Sequence, residues 1–448
     1  MKLKKLDISH FRCFDHYVID FAPGVNVIFG KNGAGKSSLI DAMHKSLSFI
    51  FANIDKKGQL PRLGAGNTTL HTERFYQGDG VIDPATGNAF PLITINAEAD
   101  IPGMGETAWS MEASTNSYKP KPSKYMKQAK QFVENVAQTG VAPVLAFYSD
   151  SYPHVETKTK LTKKVASMRN FGYHQWNEEC ACSTIWIKRL EQALAEVERS
   201  ERSIKKLDAE GKQSLPLYAE TLHKCAKARK EVDAITSVLK KFTQNDPDFQ
   251  IELVDLGATE INVGKDVLTV KTSDGAYHNF RTLPAGYRRI LFMAMDIAYR
   301  SYILNGTVDS PGIVMIDEVD LHLHPALERD IVQRLTQTFP NIQFIVSTHS
   351  PLVLVNLSSQ EGRNKVMRIR RGDESPRELT SVYGLDYNAG IEDIMGVSPR
   401  DEELGVLLDS YAYFRSNEMN EQAANILTLL RAKVGDENRL ASLLDMHL

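Results

Sequence analysis

The chain has 448 residues, enough for one large core or for two to three domains; 24% of them are charged and the net charge is −3. That balance neither demands nor forbids a nucleic-acid partner. Four cysteines (Cys13, Cys180, Cys182 and Cys225) make no disulfide framework for a chain of this length, which points to a reducing cytoplasm. Residues Met1–Asp7 lack the apolar centre of a signal peptide, and no run reaches the roughly 18 apolar residues of a membrane span, so no membrane association is expected.

In chain order, Leu3–Ser9, Tyr17–Phe21 and Val25–Phe29 read as strands, with His10-Phe11-Arg12-Cys13-Phe14 between the first two. Next comes Gly30-Lys31-Asn32-Gly33-Ala34-Gly35-Lys36-Ser37-Ser38, then an apolar helix to about Ala52. Strand, glycine loop and helix start together make G-x-x-x-x-G-K-S a phosphate-binding loop. Gly33 and Gly35 let backbone N–H groups approach phosphate oxygens, and the helix N-terminus adds positive potential. Lys36 serves the β- and γ-phosphates and the Ser37 hydroxyl serves Mg²⁺, so ATP and Mg²⁺ are the expected cofactors.

Residues 53–110 mix turns with a strand at Leu92–Ala97. Lysines 119, 121, 124, 127 and 130 then line a segment that suits a solvated face or a nucleic-acid contact. Val144–Tyr148 reads as a buried strand. Cys180-Ala-Cys182 near His174 has poor spacing for structural zinc, and no second pair follows. Between Ile185 and Phe242, apolar residues at alternating 3/4 spacing predict an antiparallel helical hairpin, each arm about 35–40 Å long. Glu201 and Arg229 break its seam, which leaves both a packed hairpin and a projecting coiled coil open. Strands return at Gln250–Leu256 and Val267–Thr272, with a turn at Asp274-Gly275.

Pro311-Gly312-Ile313-Val314-Met315-Ile316-Asp317-Glu318 reads as an apolar strand that ends in two carboxylates. A buried parallel strand delivers such carboxylates to the ligand edge of its sheet. There Asp317 can join the Mg²⁺ shell and Glu318 can orient and deprotonate water. Asp320-Leu321-His322-Leu323-His324-Pro325, a helix, a strand at Gln343–Val346 and Ser347-Thr348-His349-Ser350-Pro351 follow. His322, His324 and His349 lack a metal-ligand pattern, and His349 at a strand end suits a γ-phosphate sensor.

This motif order resembles the ABC-type ATPase heads of the SMC, RecF and OLD-like group over residues 1–360. The resemblance implies an α/β P-loop ATPase head with an inserted α-helical hairpin and a C-terminal helical region. It divides the chain into 1–184, 185–245, 246–360 and 361–448. It also implies a nucleotide-contacting Arg12 and a head-to-tail homodimer or higher homo-oligomer. In such a dimer the signature of one subunit, here Ala285 and Gly286 within Leu283-Pro284-Ala285-Gly286-Tyr287-Arg288-Arg289, completes the other's ATP site. Pro284 replaces the usual serine, which removes a hydroxyl and makes slow turnover plausible, although proline suits the first helical position. The glutamine loop of such heads has no clear counterpart, and Gln77 is the candidate for it.

Beyond Asp386 the sequence reads as helices, without the strands and clustered carboxylates of a metal nuclease. Leu404, Leu407, Leu408 and Tyr411 recur there at helical spacing, as a docking face or a packing face. The stretches Tyr383–Asn388 and Glu392–Val397 resemble the ATPase subunits of Septu anti-phage systems and their retron-associated relatives. That resemblance implies a separate HNH nuclease as partner. The other reading is a DNA-binding repair ATPase of the RecF/SMC type; an ABC transporter subunit fits less well, because the hairpin interrupts the head.

Overall fold

A computed structural model describes residues 1–56, 72–149, 169–174, 176, 183–257, 267–358, 362–380, 382–396 and 401–445. The Cys180-Ala-Cys182 pair lies outside them. The chain forms two compact units, Met1–Tyr383 and Gly384–Leu448.

The strands of the first unit are β1 (Lys2–Phe11), β2 (Phe14–Asp20), β3 (Val25–Phe29), β4 (Leu92–Ile101), β5 (Gly105–Ser114), β6 (Val144–Tyr148) and β7 (Ile251–Gly257). They continue with β8 (Val267–Thr272), β9 (Tyr277–Asn279), β10 (Gly312–Ile316), β11 (Ile342–Thr348), β12 (Lys365–Arg368) and β13 (Arg377–Leu379). The central sheet has the order β13-β12-β3-β11-β10-β6, and every neighbouring pair is parallel except β12–β13. Every residue of β3, β10 and β11 is buried, as a parallel strand covered on both faces requires. A second sheet, β2-β1-β4-β5, alternates buried and exposed side chains, so that one face is packed and the other wet. The helix Lys36–Leu47 shares one apolar core with both sheets through Leu39, Ile40 and Met43.

The expected hairpin forms from Ser183–Ala209 and Pro216–Thr243. Its base is planted in the head through Trp186, Ile187, Leu190, Ile235, Val238, Leu239 and Phe242, all buried. Leu215, Leu217 and Leu222 near the far end are exposed, so the outer half projects. Glu201 and Arg229, the two breaks in the seam, pair with each other across the hairpin, and Arg189 binds Glu231 through both oxygens (2.6 and 3.0 Å). The interruptions are therefore complementary. Beneath the base lies a buried polar cluster on the helix Ala285–Asn305. Asp296 accepts from Tyr148 Oη (2.7 Å), Arg300 Nε (2.6 Å) and Trp186 Nε1, which compensates two charges that burial would otherwise penalise. In the lysine segment, Lys121 and Lys124 both pair with Glu112, so part of that charge is neutralised within the fold.

The first unit runs to Tyr383, beyond the expected boundary after residue 360. The cause is β12, which pairs in parallel with β3 and brings β13 to the sheet edge. In the second unit, Glu402–Ser416, Asn420–Val434 and Glu437–Asp445 are helices. Leu408 and Tyr411 are buried among them with Leu430 and Leu440, and Leu404 and Leu407 pack on the same cluster. These side chains are core, while Val406, Tyr413 and Leu429 are exposed. No helix among the described residues is long and apolar enough to cross a membrane.

Two buried histidines tie stability to pH. Burial pushes His44, on the helix after the glycine loop and against Trp176 (4.4 Å), down to about 3, and His174 down to about 4. Both stay neutral in the folded chain, while the unfolded chain protonates them below about 6.5, so their contribution is full above that pH and is lost as pH falls toward 4. The denaturant midpoint should drop between pH 7 and pH 4.5, and less steeply in His44→Phe, whose ring stacks but cannot titrate.

Candidate functional site

Parallel register sets the site. Ile316 of β10 lies opposite Val346 of β11 and Tyr148 of β6, and Thr348 of β11 lies opposite Phe29 of β3. The residues that follow these strands, Gly30, His349, Asp317 and Ser149, therefore leave one edge of the sheet together. The glycine loop, the Asp-Glu pair and the strand-end histidine meet there.

The loop's shape needs its glycines. Gly33 and Gly35 have φ of 77° and 106°, values that L side chains rarely adopt. A Cβ on Gly35 would also stand 2.8 Å from both Cys13 Sγ and Phe14 Cζ. Lys31, Asn32, Gly33 and Ser37 are exposed, Ala34 is buried and Ser38 is half-buried. Lys36 Nζ folds over the loop and donates to the carbonyls of Gly30 (2.9 Å) and Lys31 (3.4 Å). Burial pulls the lysine's pKa down, while Asp317, Glu318 and Asp320 pull it up, so the loop and the carboxylates share one electrostatic site.

Asp317 is buried and accepts a hydrogen bond from Ser347 Oγ at the end of β11. Ser347 Oγ in turn accepts from Glu318 N (2.9 Å). Glu318 has φ of 50°, a strained conformation for a glutamate, and Arg289 Nη2 holds its carbonyl at 3.1 Å. Glu318 Oε1 lies 4.0 Å from His349 Nε2, both side chains being half-exposed and facing one another. Asp320 accepts from Thr348 Oγ1 (2.5 Å) and from the His349 N–H (3.3 Å), which locks the segment after Glu318 to the histidine turn. Ser347 and Arg289 are the supporting residues that sequence reasoning missed; the hydroxyl run Ser347-Thr348 was the available signal.

Arg12 reaches the helix of the glycine loop. Its Nη2 lies 2.8 Å from Asp41 Oδ2 and its Nε donates to Asp79 Oδ1 at 2.9 Å. Lys45 adds a second cation at 3.3 Å from Asp79, which balances the two acids. Gln77 is exposed on the short turn that carries Asp79. The strand end beside Asp317 instead carries Tyr148 and Ser149, and the Tyr148 carbonyl accepts from Asp317 N (2.7 Å).

The signature residues have other neighbours. Pro284 precedes the helix that starts at Ala285, whose first N–H groups have no intrahelical acceptor. Gly286 faces the segment after Glu318, and a Cβ there would stand 3.1 Å from the His322 carbonyl. His324 Nδ1 accepts from Ala326 N and so caps the next helix, Pro325–Thr338. For Mg²⁺, the exposed Ser37 hydroxyl and the buried Asp317 carboxylate are oxygen donors of the kind that ion takes.

A family model described as an AAA domain matches residues 5–247, more than half of the chain. The chain belongs to the AAA-domain family. A second model, described as AAA domain, putative AbiEii toxin, Type IV TA system, matches residues 302–356. The whole of this AAA-domain ATPase aligns with the Retron Ec83 probable ATPase of Escherichia coli, at 25% identity over 84% of that protein. It is 27% identical to the Retron Vc95 probable ATPase of Vibrio cholerae serotype O1 biovar El Tor, over 75% of this chain and 67% of the relative. It is 31% identical to Septu protein PtuA of Bacillus mycoides (strain KBAB4) over 171 residues, which are 38% of this chain and 24% of that one. The protein is thus an ATPase of the group that holds these retron and Septu proteins.

Lys36 is the buried cation of the loop, folded over its carbonyls, so Lys36→Ala should weaken ATP binding tenfold or more, about 1.4 kcal/mol, by calorimetry. Equal affinity in parent and variant would refute the loop as the phosphate site.

Proposed function

We propose that the protein hydrolyses ATP slowly as a head-to-tail homodimer and controls a separate HNH-type nuclease in anti-phage defence. In this reading the N–H groups from Gly30 to Ser38 and Lys36 bind the phosphates, and Ser37 and Asp317 would hold Mg²⁺, which supplies charge neutralisation there. Glu318 takes a proton from the attacking water, His349 donates to the γ-phosphate, and Arg12 moves from Asp41 and Asp79 to the nucleotide. The Ala285 and Gly286 N–H groups serve the partner subunit's γ-phosphate without the hydroxyl that Pro284 lacks, which is the reason for slow turnover. The observation that supports this reading best is the convergence of Lys36, Asp317, Glu318 and Asp320 on one electrostatic site.

The dimer follows from one loop and one signature per chain, since a two-fold pair completes both sites at once. Glu318→Gln keeps the shape and removes the base. It should bind ATP, lose turnover and accumulate as a dimer in size-exclusion chromatography; hydrolysis at the parental rate would remove Glu318 from the role of base.

The nuclease partner rests on the resemblance to Septu and retron ATPases, and the second unit is the candidate docking element. One structural observation favours the alternative, a DNA-binding repair ATPase. Arg368 and Arg377 stand directly opposite one another in β12 and β13, a like-charge pair that costs stability, and Arg370 follows two residues on. An HNH nuclease should co-purify with the full chain and not with a folded chain ending near residue 400 that still binds ATP. If no nuclease associates, and labelled single-stranded DNA binds with a salt slope that falls by about 2 in Arg370→Glu/Arg377→Glu, the repair reading replaces it.

A further inference from the structure

The signature stretch carries Tyr287, and the structure gives that tyrosine a specific partner. Its hydroxyl donates to Asp246 Oδ1 at 3.0 Å, and its ring stacks on Phe249 with centroids 4.4 Å apart. Asp246 is buried, three residues past the end of the outgoing hairpin helix at Thr243. Its Oδ2 accepts from Arg334 Nη1 at 2.7 Å, and Oδ1 also accepts from the N–H groups of Asp248 (3.0 Å) and Phe249 (2.9 Å). Arg334 lies on Pro325–Thr338, the helix that follows Glu318 and the His322–His324 segment. One carboxylate therefore joins the exit of the hairpin, the signature and the helix behind the catalytic segment.

Two further contacts show what this junction holds in place. Gly286, the residue before Tyr287, packs against the His322 carbonyl, and Arg289, two residues after it, binds the Glu318 carbonyl. The first turn of the signature helix is thus pinned on one side to the hairpin exit and on the other to the catalytic strand end. Burial and the Asp246 charge push the Tyr287 phenol well above its ordinary pKa, so the hydroxyl remains a donor throughout the working range.

We propose that Asp246 is a positioning residue which, through Tyr287, sets the direction of the Ala285 and Gly286 N–H groups and so passes the angle of the projecting hairpin to the ATP site. Tyrosine is suited to this position because it spans from the helix to a buried acid and stacks on the way, whereas a carboxylate there would face Asp246 and be repelled. Whatever the outer hairpin binds then alters turnover by tilting the signature, without touching the nucleotide of its own subunit. This inference rests on the head-to-tail dimer proposed above.

The test uses the full chain. Tyr287→Phe keeps the stacked ring and leaves Asp246 bonded to Arg334 and two N–H groups, so the fold is retained. ATP affinity by calorimetry should stay within twofold of the parent while kcat falls fivefold or more, because the signature serves the opposite subunit. Mixing Tyr287→Phe with Lys36→Ala protein should then restore turnover above the sum of the two alone. In the mixed dimer, the intact signature of one subunit meets the intact loop of the other. Parental kcat in Tyr287→Phe, or a loss of kcat that mixing does not restore while Glu318→Gln still dimerises with ATP, overturns the positioning role. Failure of Glu318→Gln to dimerise overturns the dimer reading itself.

Discussion

The hydroxyl of Ser347 is the contact on which the ligand edge depends. It donates to the Asp317 carboxylate and accepts from the Glu318 N–H, so one side chain at the end of β11 orients both acids at the end of β10. The geometry it holds is strained: φ of 50° at Glu318 costs about 1–3 kcal/mol. Two hydrogen bonds, from Glu318 N to Ser347 and from Arg289 to the Glu318 carbonyl, offset that cost and turn the side chain toward His349. The turn is also held to β11 beyond the strand, where Val319 N donates to the Ser347 carbonyl at 3.0 Å.

Charge is arranged around this edge in opposed sets. Lys36 faces three carboxylates and rests on two carbonyls, so a phosphate that enters the loop exchanges weak backbone partners for a full charge. Arg12 is held by Asp41 and Asp79 beside the same helix, and its guanidinium remains half-exposed. Asp41, whose pKa burial raises, lies on the loop's own helix and ties Arg12 to it. The arginine is in this way held beside the glycine loop's helix without an uncompensated charge.

The hairpin enters the same network from the opposite side. Its incoming helix contributes Trp186 to the Asp296 cluster, which also binds Tyr148 of β6, the neighbour of β10. Its outgoing end contributes Asp246 to the signature. Both feet of the hairpin therefore end on buried carboxylates that contact the ATPase core, where a low local dielectric strengthens the hydrogen bonds they make. The pair Glu201–Arg229 joins the two arms farther out along the hairpin.

The sequence by itself determined the loop, the Asp-Glu strand end, the hairpin and the C-terminal helices, because each is a local pattern: glycines with a lysine at set spacing, an apolar run ending in acids, and 3.6-residue periodicity. It also placed Leu404, Leu407, Leu408 and Tyr411 on one helical face, although only the packing of three helices made that face a core. What the tertiary structure decided are pairings between residues far apart in sequence. Ser347 with Asp317, Arg289 with Glu318, Arg12 with Asp79 and Tyr287 with Asp246 carry no signal in spacing. The edge of the sheet was likewise hidden, since β12 joins β3 through backbone hydrogen bonds that no side-chain pattern between residues 365 and 379 announces. Local chemistry is written in neighbouring residues, whereas the support that holds it in place comes from register between strands that only the fold brings together.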